Sequence, residues 1–121
     1  FVVVDAAMND LLRPALYEAW HSIEPVLESE ENAPSQLVDV VGPVCESGDV
    51  LGRRRNLPQL VPGDLLVVRS VGAYGSVMAS SYNTRPLAAE VLVYETKSDV
   101  IRPRQDVDAL IGQDRVPVWM P

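Results

Sequence analysis

The chain has 121 residues, of which ten are basic and 17 acidic, and its formal net charge is -7. This charge disfavours contact with nucleic-acid phosphates, and no apolar run approaches the ~20 residues of a membrane span. The single cysteine excludes an internal disulfide framework and fits a reducing, cytoplasmic location, and the single histidine, His21, excludes a cluster of histidine metal ligands.

The first third of the chain predicts short strands and loops. Ten prolines and seven glycines divide the sequence into short segments, which favours strands and turns over long helices. Residues 1–4 predict a first strand and residues 5–10 a polar loop. Because Pro14 breaks a helix begun upstream of it, we expect a short turn followed by an extended run over residues 15–23. Residues 28–35 predict an acidic loop.

The middle of the chain predicts strands separated by tight turns. Residues 36–44 are rich in valine and predict a buried strand. Residues 49–51 predict a short strand that leads into a loop carrying Arg53-Arg54-Arg55, for which a solvated loop is favoured over contact with an acidic partner. Val61-Pro62-Gly63-Asp64 predicts a tight turn, because its proline and glycine suit the second and third turn positions. Residues 65–71 predict the next strand.

The last third continues this pattern. Residues 72–81 predict a short helix opening near Tyr74, residues 87–94 and 100–102 predict strands, and residues 106–111 predict a terminal helical turn. Several short strands at turn-marked intervals indicate a mainly β sandwich or barrel with one or two short helices.

Three separated motifs carry the chemistry. They are MNDLLRPALY at residues 8–17, CESGD at residues 45–49 and GAYG at residues 72–75. A lone cysteine is more often a small buried hydrophobe than a reactive group, so no single motif is decisive. In this order, the three motifs make residues 2–95 resemble the carboxy-terminal domain of the diaminopimelate decarboxylases, pyridoxal-phosphate enzymes of the alanine racemase and ornithine decarboxylase class.

The resemblance implies an architecture and a reaction. It implies that residues 1–121 form a single Greek-key-like β-barrel domain that packs against an N-terminal β/α barrel, absent from this chain, which carries the cofactor lysine. It also implies a homodimer with active sites at the subunit interface, pyridoxal 5'-phosphate as cofactor, and decarboxylation of meso-2,6-diaminopimelate to L-lysine. The chain's one lysine, Lys97, lies in an acidic polar turn, whereas a Schiff-base lysine needs desolvation or a neighbouring cation, so we expect the isolated chain to be inactive.

The resemblance also implies how the far end of the substrate is bound. Arg13 offers a planar fork that binds a carboxylate with two hydrogen bonds. By resemblance, Arg13 and Tyr17 contact the distal carboxylate of the substrate, and Glu46 pairs with its distal ammonium. The distal end of the substrate is zwitterionic and therefore needs both a cation and an anion. The alternative interpretation of Arg13 is a surface ion pair.

The remaining site residues act at the reacting carbon and the cofactor. Thiols are mostly protonated at neutral pH, and the resemblance implies that Cys45 donates a proton to the α-carbon from across the dimer interface. Tyr74 is expected to contact the cofactor near its phosphate, and the substrate, from its own subunit, with an aromatic core anchor as the alternative. Ser47 and Asp49 are expected to shape the loop.

Two other functions stay open at this point. One is a related decarboxylase acting on ornithine, arginine or a carboxylated polyamine precursor, although simple diamine-forming enzymes have no distal carboxylate for Arg13 to bind. The other is a non-catalytic β-barrel interaction module. Surface covered by another domain would be exposed here, with residues 2–4, Trp20 and Trp119 as candidates, although core packing is favoured for both tryptophans.

Overall fold

The computed structural model describes residues 1–27 and 33–120. The chain forms two compact units, Phe1–Ala79 and Ser80–Pro121. The first contains β1 (Val2–Val3), α1 (Arg13–Tyr17), β2 (Ile23–Pro25), β3 (Ser35–Val41), β4 (Val50–Pro58), β5 (Leu66–Val68) and α2 (Ala73–Ser76). The second contains a 3₁₀ turn (Tyr82–Thr84), β6 (Glu90–Tyr94), β7 (Lys97–Arg102) and α3 (Val107–Ile111). The single domain expected over residues 1–121 stays a prediction.

The first unit is built on two small sheets. In one, β1 runs parallel to β3, with Val2 opposite Val40, and β3 runs antiparallel to β4. In the other, β2 pairs antiparallel with β5, with Ile23 opposite Val68. β-branched residues suit this pleated, half-buried surface. Six buried residues form the core, namely Leu11, Ile23, Val38, Val40, Leu51 and Leu57.

The prediction that Pro14 prevents a helix is wrong. Residues 13–17 form α1, and Pro14 occupies its first turn, where a missing amide hydrogen costs no intrahelical bond. Glu18 ends the helix in the left-handed conformation, and its amide donates to the Arg13 carbonyl. The extended run expected over residues 15–23 is therefore replaced by a helix, and extended structure begins only at Ile23.

The predicted arginine loop is also wrong, because these residues lie within β4. Val38 pairs with Arg55 and Val40 pairs with Gly52, so two residues of β4 oppose Asp39 of β3 in a bulge. The Asp39 carboxylate accepts a hydrogen bond from the Arg54 amide at 2.7 Å, and Arg54 has a positive φ of 49°. A bulge supported by a carboxylate lets the strand continue where the sequence indicates a loop.

Several boundaries differ from the sequence-based expectations. The strand predicted over residues 1–4 covers Val2–Val3, the strand predicted over residues 36–44 ends at Val41, and β5 is shorter than the predicted 65–71. The turn at residues 61–64 is confirmed, with the Asp64 amide donating to the Val61 carbonyl at 3.1 Å and Gly63 at a φ of 102°. Of the acidic loop predicted over residues 28–35, residues 28–32 lie outside the described residues.

The second unit contains a hairpin and a short helix. β6 and β7 pair antiparallel, and Tyr94 lies opposite Lys97 across a two-residue turn that includes Glu95 at a φ of 54°. Lys97 is exposed, as expected, but it begins β7 instead of lying in the turn. The predicted helical turn is confirmed as α3, whose N-cap Asp106 accepts a hydrogen bond from the Ala109 amide.

The predicted mainly β class is confirmed. The strands of the described residues form sheets of three, two and two strands, so the closed Greek-key barrel stays a prediction. The described residues contain three α-helices where one or two were expected, since α1 forms despite Pro14. No helix among the described residues is long and apolar enough to cross a membrane.

Candidate functional site

The loop of residues 42–49 joins β3 to β4 and is closed by its own backbone. The Gly42 amide donates to the Asp49 carbonyl at 3.1 Å, and the Asp49 amide donates to the Glu46 carbonyl at 3.0 Å. The side chains of Cys45 and Glu46 are exposed. The loop therefore presents a thiol and a carboxylate on a hydrogen-bonded frame.

The Glu46 carboxylate is held lightly by its own loop. Its Oε1 atom accepts hydrogen bonds from the Gly48 amide at 3.3 Å and from the Ser47 hydroxyl at 3.4 Å. Both contacts are exposed, so they limit the rotation of the carboxylate without covering it. Glu46 is therefore accessible to an external cation, and the loop-shaping role expected for Ser47 stays a prediction.

Asp49 is the buried residue of this loop, with 3% of its surface exposed. Its Oδ2 atom accepts a hydrogen bond from the Val44 amide at 2.8 Å, and its Oδ1 atom accepts one from the Met8 amide at 2.7 Å. A side chain at Gly42 would overlap the Asp49 carboxylate, so glycine is required there by space. The expected loop-shaping role of Asp49 is confirmed, and its contact with Met8 was not predicted.

The segment before α1 fixes the position of Arg13. The Asp10 amide donates to the Ala7 carbonyl at 2.9 Å, the Asp10 carboxylate accepts from the Ala7 amide at 2.9 Å, and Ala7 is fully buried. Arg13 is half-buried at the start of α1, which lies against β4. Tyr17, 61% exposed, follows one helical turn later on the same face.

Tyr74 lies in α2, a helix of four residues. Gly72, directly before α2, has φ 58° and ψ -162°, a conformation that is essentially restricted to glycine. Gly75 is buried, and a side chain there would lie 3.3 Å from Val71. Tyr74 itself is 64% exposed, so its predicted alternative as a core anchor is wrong.

Four of the five predicted site residues lie on two segments that are both hydrogen-bonded to the Asp49 carboxylate. Asp49 contacts the backbone directly before Cys45 and also the segment that leads into α1. Within the described residues, no hydrogen bond or ion pair joins any two of the predicted site side chains, which are Arg13, Tyr17, Cys45, Glu46 and Tyr74. These side chains therefore remain available to an external ligand.

A contact between Trp20 and Arg55 was missed by the sequence analysis. The guanidinium carbon of Arg55 lies 4.6 Å from the centroid of the Trp20 ring, within cation–π range. Burial lowers the pKa of Arg55 from its ordinary value. Trp20 is 71% exposed, and Trp119 is exposed as well, so the core packing expected for both tryptophans is wrong.

A groove of about 380 Å³ lies between the two sheets of the first unit and is lined mainly by apolar residues. None of the five predicted site residues lines it. Among residues 1–27 and 33–120, no cluster of His, Cys, Asp and Glu side chains could hold a metal ion. The predicted site residues therefore lie outside this groove.

Comparisons with known proteins identify the family. The C-terminal sheet domain of pyridoxal-dependent decarboxylases matches residues 1–72. Proteins named diaminopimelate decarboxylase from Zymomonas mobilis and Vibrio cholerae are 48% identical over 99% of the chain and 53% identical over 96% of it. The chain spans 28% and 27% of the lengths of these two relatives.

Solved structures give the same result. The chain resembles diaminopimelate decarboxylase from Helicobacter pylori complexed with L-lysine, with a TM-score of 0.84 and 47% identity over 92% of this chain and 27% of that one. It also resembles the M. jannaschii enzyme in co-complex with L-lysine, with a TM-score of 0.87 and 42% identity over 95% of this chain and 26% of that one. The family match covers more than half of the 121 residues. The resemblance predicted from the three motifs is thus confirmed, and the chain belongs to the C-terminal sheet domains of the pyridoxal-dependent decarboxylases.

Proposed function

We propose that this chain is the sheet domain of a diaminopimelate decarboxylase, which converts meso-2,6-diaminopimelate to L-lysine and carbon dioxide with pyridoxal 5'-phosphate. Relatives of that name match almost the whole chain at 48% to 53% identity. The titles of two similar structures name L-lysine, the product of this reaction, as the bound ligand. These matches support both the reaction and the substrate.

The single observation that carries the proposal is that a cationic and an anionic side chain lie on segments held by the same buried carboxylate. Arg13 on α1 and Glu46 in the 42–49 loop lie on segments that both contact the buried Asp49 carboxylate. The distal end of diaminopimelate carries a carboxylate and an ammonium. Arg13, with the Tyr17 hydroxyl, binds the carboxylate through its planar fork, and Glu46 binds the ammonium.

The residues of this chain fit a supporting role toward the cofactor. Tyr74 is exposed, makes no hydrogen bond within the described residues, and follows a glycine whose conformation lets the backbone approach a ligand closely. Its hydroxyl donates to the cofactor near the phosphate and borders the substrate. When bound, the cofactor withdraws electrons from the substrate's α-carbon as the carboxyl group leaves.

The cofactor lysine belongs to an N-terminal β/α barrel of the same protein. Lys97, the chain's one lysine, is exposed on the β6–β7 hairpin, where nothing desolvates its ammonium group. Apolar residues of the first unit are exposed as well, among them Val3, Trp20, Leu27 and Leu65. Exposed apolar surface of this kind supports contact with a second domain and with a second subunit.

Cys45 completes the reaction by moving one proton. Its thiol donates that proton to the α-carbon after carbon dioxide has left, and the resulting thiolate is reprotonated from solvent. We place this thiol in the active site of the partner subunit of a homodimer, and its exposure at the surface of its own chain supports that placement. A free thiol on the surface fits the reducing cytoplasm, where we place the enzyme.

The test uses the full-length protein with its cofactor and compares two substrates. Because L-lysine retains the L-centre of meso-diaminopimelate, the carboxylate that leaves is the one at the D-centre. D-lysine keeps this centre and lacks only the distal carboxylate, so it is a matched control for the role of Arg13. We expect one L-lysine per carbon dioxide from meso-diaminopimelate and turnover of D-lysine lower by at least about tenfold.

Other outcomes would identify the alternatives. Faster turnover of L-ornithine or L-arginine than of diaminopimelate would overturn the proposed substrate in favour of a related decarboxylase. Loss of carbon dioxide from none of these amino acids, with the cofactor bound, would leave a non-catalytic interaction module.

A further inference from the structure

We propose that Asp49 is a positioning residue that holds the Arg13 segment and the Cys45 loop in one fixed arrangement. This inference rests on the proposed function, because Arg13 there binds the substrate and Cys45 delivers the proton. Asp49 touches neither the substrate nor the cofactor. It acts through the backbone of the two segments that carry these groups.

The two oxygen atoms of one carboxylate serve different parts of the chain. Oδ2 accepts from the amide of Val44, the residue directly before Cys45, and Oδ1 accepts from the amide of Met8, 41 residues away in sequence. Both distances, 2.8 and 2.7 Å, lie at the short end of the range for N–H···O hydrogen bonds. Because Asp49 is buried, water does not readily replace either bond.

A rigid segment transmits the contact at Met8 to α1. Met8 lies in the turn between Ala7 and Asp10, and the Leu11 amide donates to the Ala7 carbonyl at 3.2 Å. Ala7 and Leu11 are both buried. Arg13 begins the helix two residues after Leu11, so a shift of Met8 moves the guanidinium as well.

The space around the carboxylate selects aspartate over its close analogues. Asparagine has one acceptor oxygen, and its NH₂ group would face one of the two amide donors. Glutamate keeps both acceptors but is one methylene longer, and the carboxylate already lies against Gly42 so closely that no side chain fits there. The arrangement therefore depends on Asp49 and Gly42 together.

The experiment measures amide hydrogen exchange in the full-length protein carrying Asp49→Asn. We expect exchange of at least one of the Met8 and Val44 amides to rise by about tenfold to 150-fold, the loss of one hydrogen bond to a charged group. Asp64→Asn is the matched control, because the Asp64 carboxylate also accepts a backbone amide, that of Val61 at 2.8 Å, within an exposed turn. That control should leave both amides unchanged.

Kinetics then separate positioning from general destabilisation. With Asp49→Asn we expect the KM for meso-diaminopimelate to rise about tenfold and the yield of L-lysine per carbon dioxide to fall below one, because both Arg13 and Cys45 are misplaced. A merely structural role would reduce the amount of folded enzyme and leave KM and this yield unchanged. Asp64→Asn should leave the KM, the yield of L-lysine and the amount of folded enzyme as in the wild type.

Gly42→Ala repeats the test without changing charge. Its new methyl group displaces the Asp49 carboxylate, so it should accelerate exchange at both amides and reproduce the kinetic changes. It also keeps the proposal testable if Asp49→Asn fails to fold. Unchanged exchange in the folded variants would show that Asp49 does not hold the Met8 and Val44 amides. Faster exchange with a normal KM and a normal yield of L-lysine would overturn the positioning role of Asp49. If the wild type fails to decarboxylate diaminopimelate, the proposed function is wrong. The exchange data still show whether Asp49 holds the Met8 and Val44 amides.

Discussion

The segments around Arg13 and Cys45 and the segment around Tyr74 all carry predicted site residues, but they are held in different ways. The first two share a buried carboxylate that bridges 41 residues of sequence. The Tyr74 segment is held locally, with the Gly75 amide donating to the Gly72 carbonyl at 3.2 Å. Its direction depends on the backbone conformation of Gly72.

The difference follows from what each segment has to do. In the proposed reaction, the substrate clamp and the proton donor must each keep its position to well below 1 Å, which requires that both segments have a rigid support. In the same proposal, Tyr74 contacts a cofactor that another domain holds, so its segment is expected to settle against that domain. Four variants test this comparison.

The largest effect is expected from Cys45→Ala in the full-length enzyme. Loss of a general acid should slow L-lysine formation by about 10² to 10⁴, whereas cofactor binding and thermal stability should stay near wild type because the thiol is exposed. Turnover is measured by L-lysine formation and stability by thermal unfolding. Near-normal turnover with a lowered unfolding temperature would make Cys45 a structural residue.

The same variant tests the proposed dimer. When it is mixed with a variant that lacks the cofactor lysine, random heterodimers should regain one competent site out of two, because Cys45 serves the partner's site. Absence of any recovered activity, in a mixture shown to exchange subunits, would place the thiol in its own subunit's site.

Arg13→Lys should have the next largest effect. The substitution keeps the charge and loses the bidentate fork, so substrate binding should weaken by about 1.5 to 3 kcal/mol while cofactor affinity is unchanged. Arg53→Lys is the matched control, since Arg53 is exposed in the β4 bulge and makes only a long ion pair, with 4.0 Å between its Nη1 atom and Asp39 Oδ2. An equal change in KM for both variants would mean that the effect does not come from the Arg13 fork.

Gly72→Ala tests the locally held region. No atom lies within 4 Å of the added methyl group, so its cost is backbone strain alone, about 1 to 3 kcal/mol in the free energy of unfolding. Cofactor affinity should fall with it, because Tyr74 lies two residues further on. Gly48→Ala is the control for stability, since its methyl group meets nothing closer than 3.9 Å and should change stability by less than about 0.5 kcal/mol. Equal stability of the two variants would refute the strain.

The sequence was sufficient to predict the three motifs and the turn at residues 61–64, because these depend on local residue types. The turn at residues 61–64 follows from its proline and glycine. The loop that carries CESGD begins at residue 42, inside the strand predicted over residues 36–44. The helix α1 was missed because Pro14 was treated as a helix breaker, although in the first helical turn it is favourable.

Contacts between distant residues could not be predicted in the same way. The bond from Met8 to Asp49 depends on how β1 and β3 place two loops side by side, and no periodicity in either loop indicates it. The approach of Arg55 to Trp20 depends on the β4 bulge, which changes the direction of the strand's side chains. Local propensity carries no information on either contact.

Glu24→Gln should give the smallest effect and sets the scale for an exposed carboxylate against the buried Asp49. The Ser22 hydroxyl donates to Glu24 at 2.6 Å and the Arg69 Nε atom donates at 3.2 Å, and these two bonds, the first above all, hold the pKa of Glu24 below its ordinary value of 4.5. Because the pKa is lower in the folded state, the stabilisation is complete above the unfolded pKa and is lost as pH falls through the folded one. The stability difference between wild type and Glu24→Gln should therefore be small at pH 7, shrink further below pH 4.5, and weaken with added salt, since the pair is exposed. Denaturant titrations at several pH values measure it. A stability difference that grows on acidification would contradict the assigned direction of the pKa shift. A loss of stability as large as that caused by Asp49→Asn would remove the distinction between the buried and the exposed carboxylate.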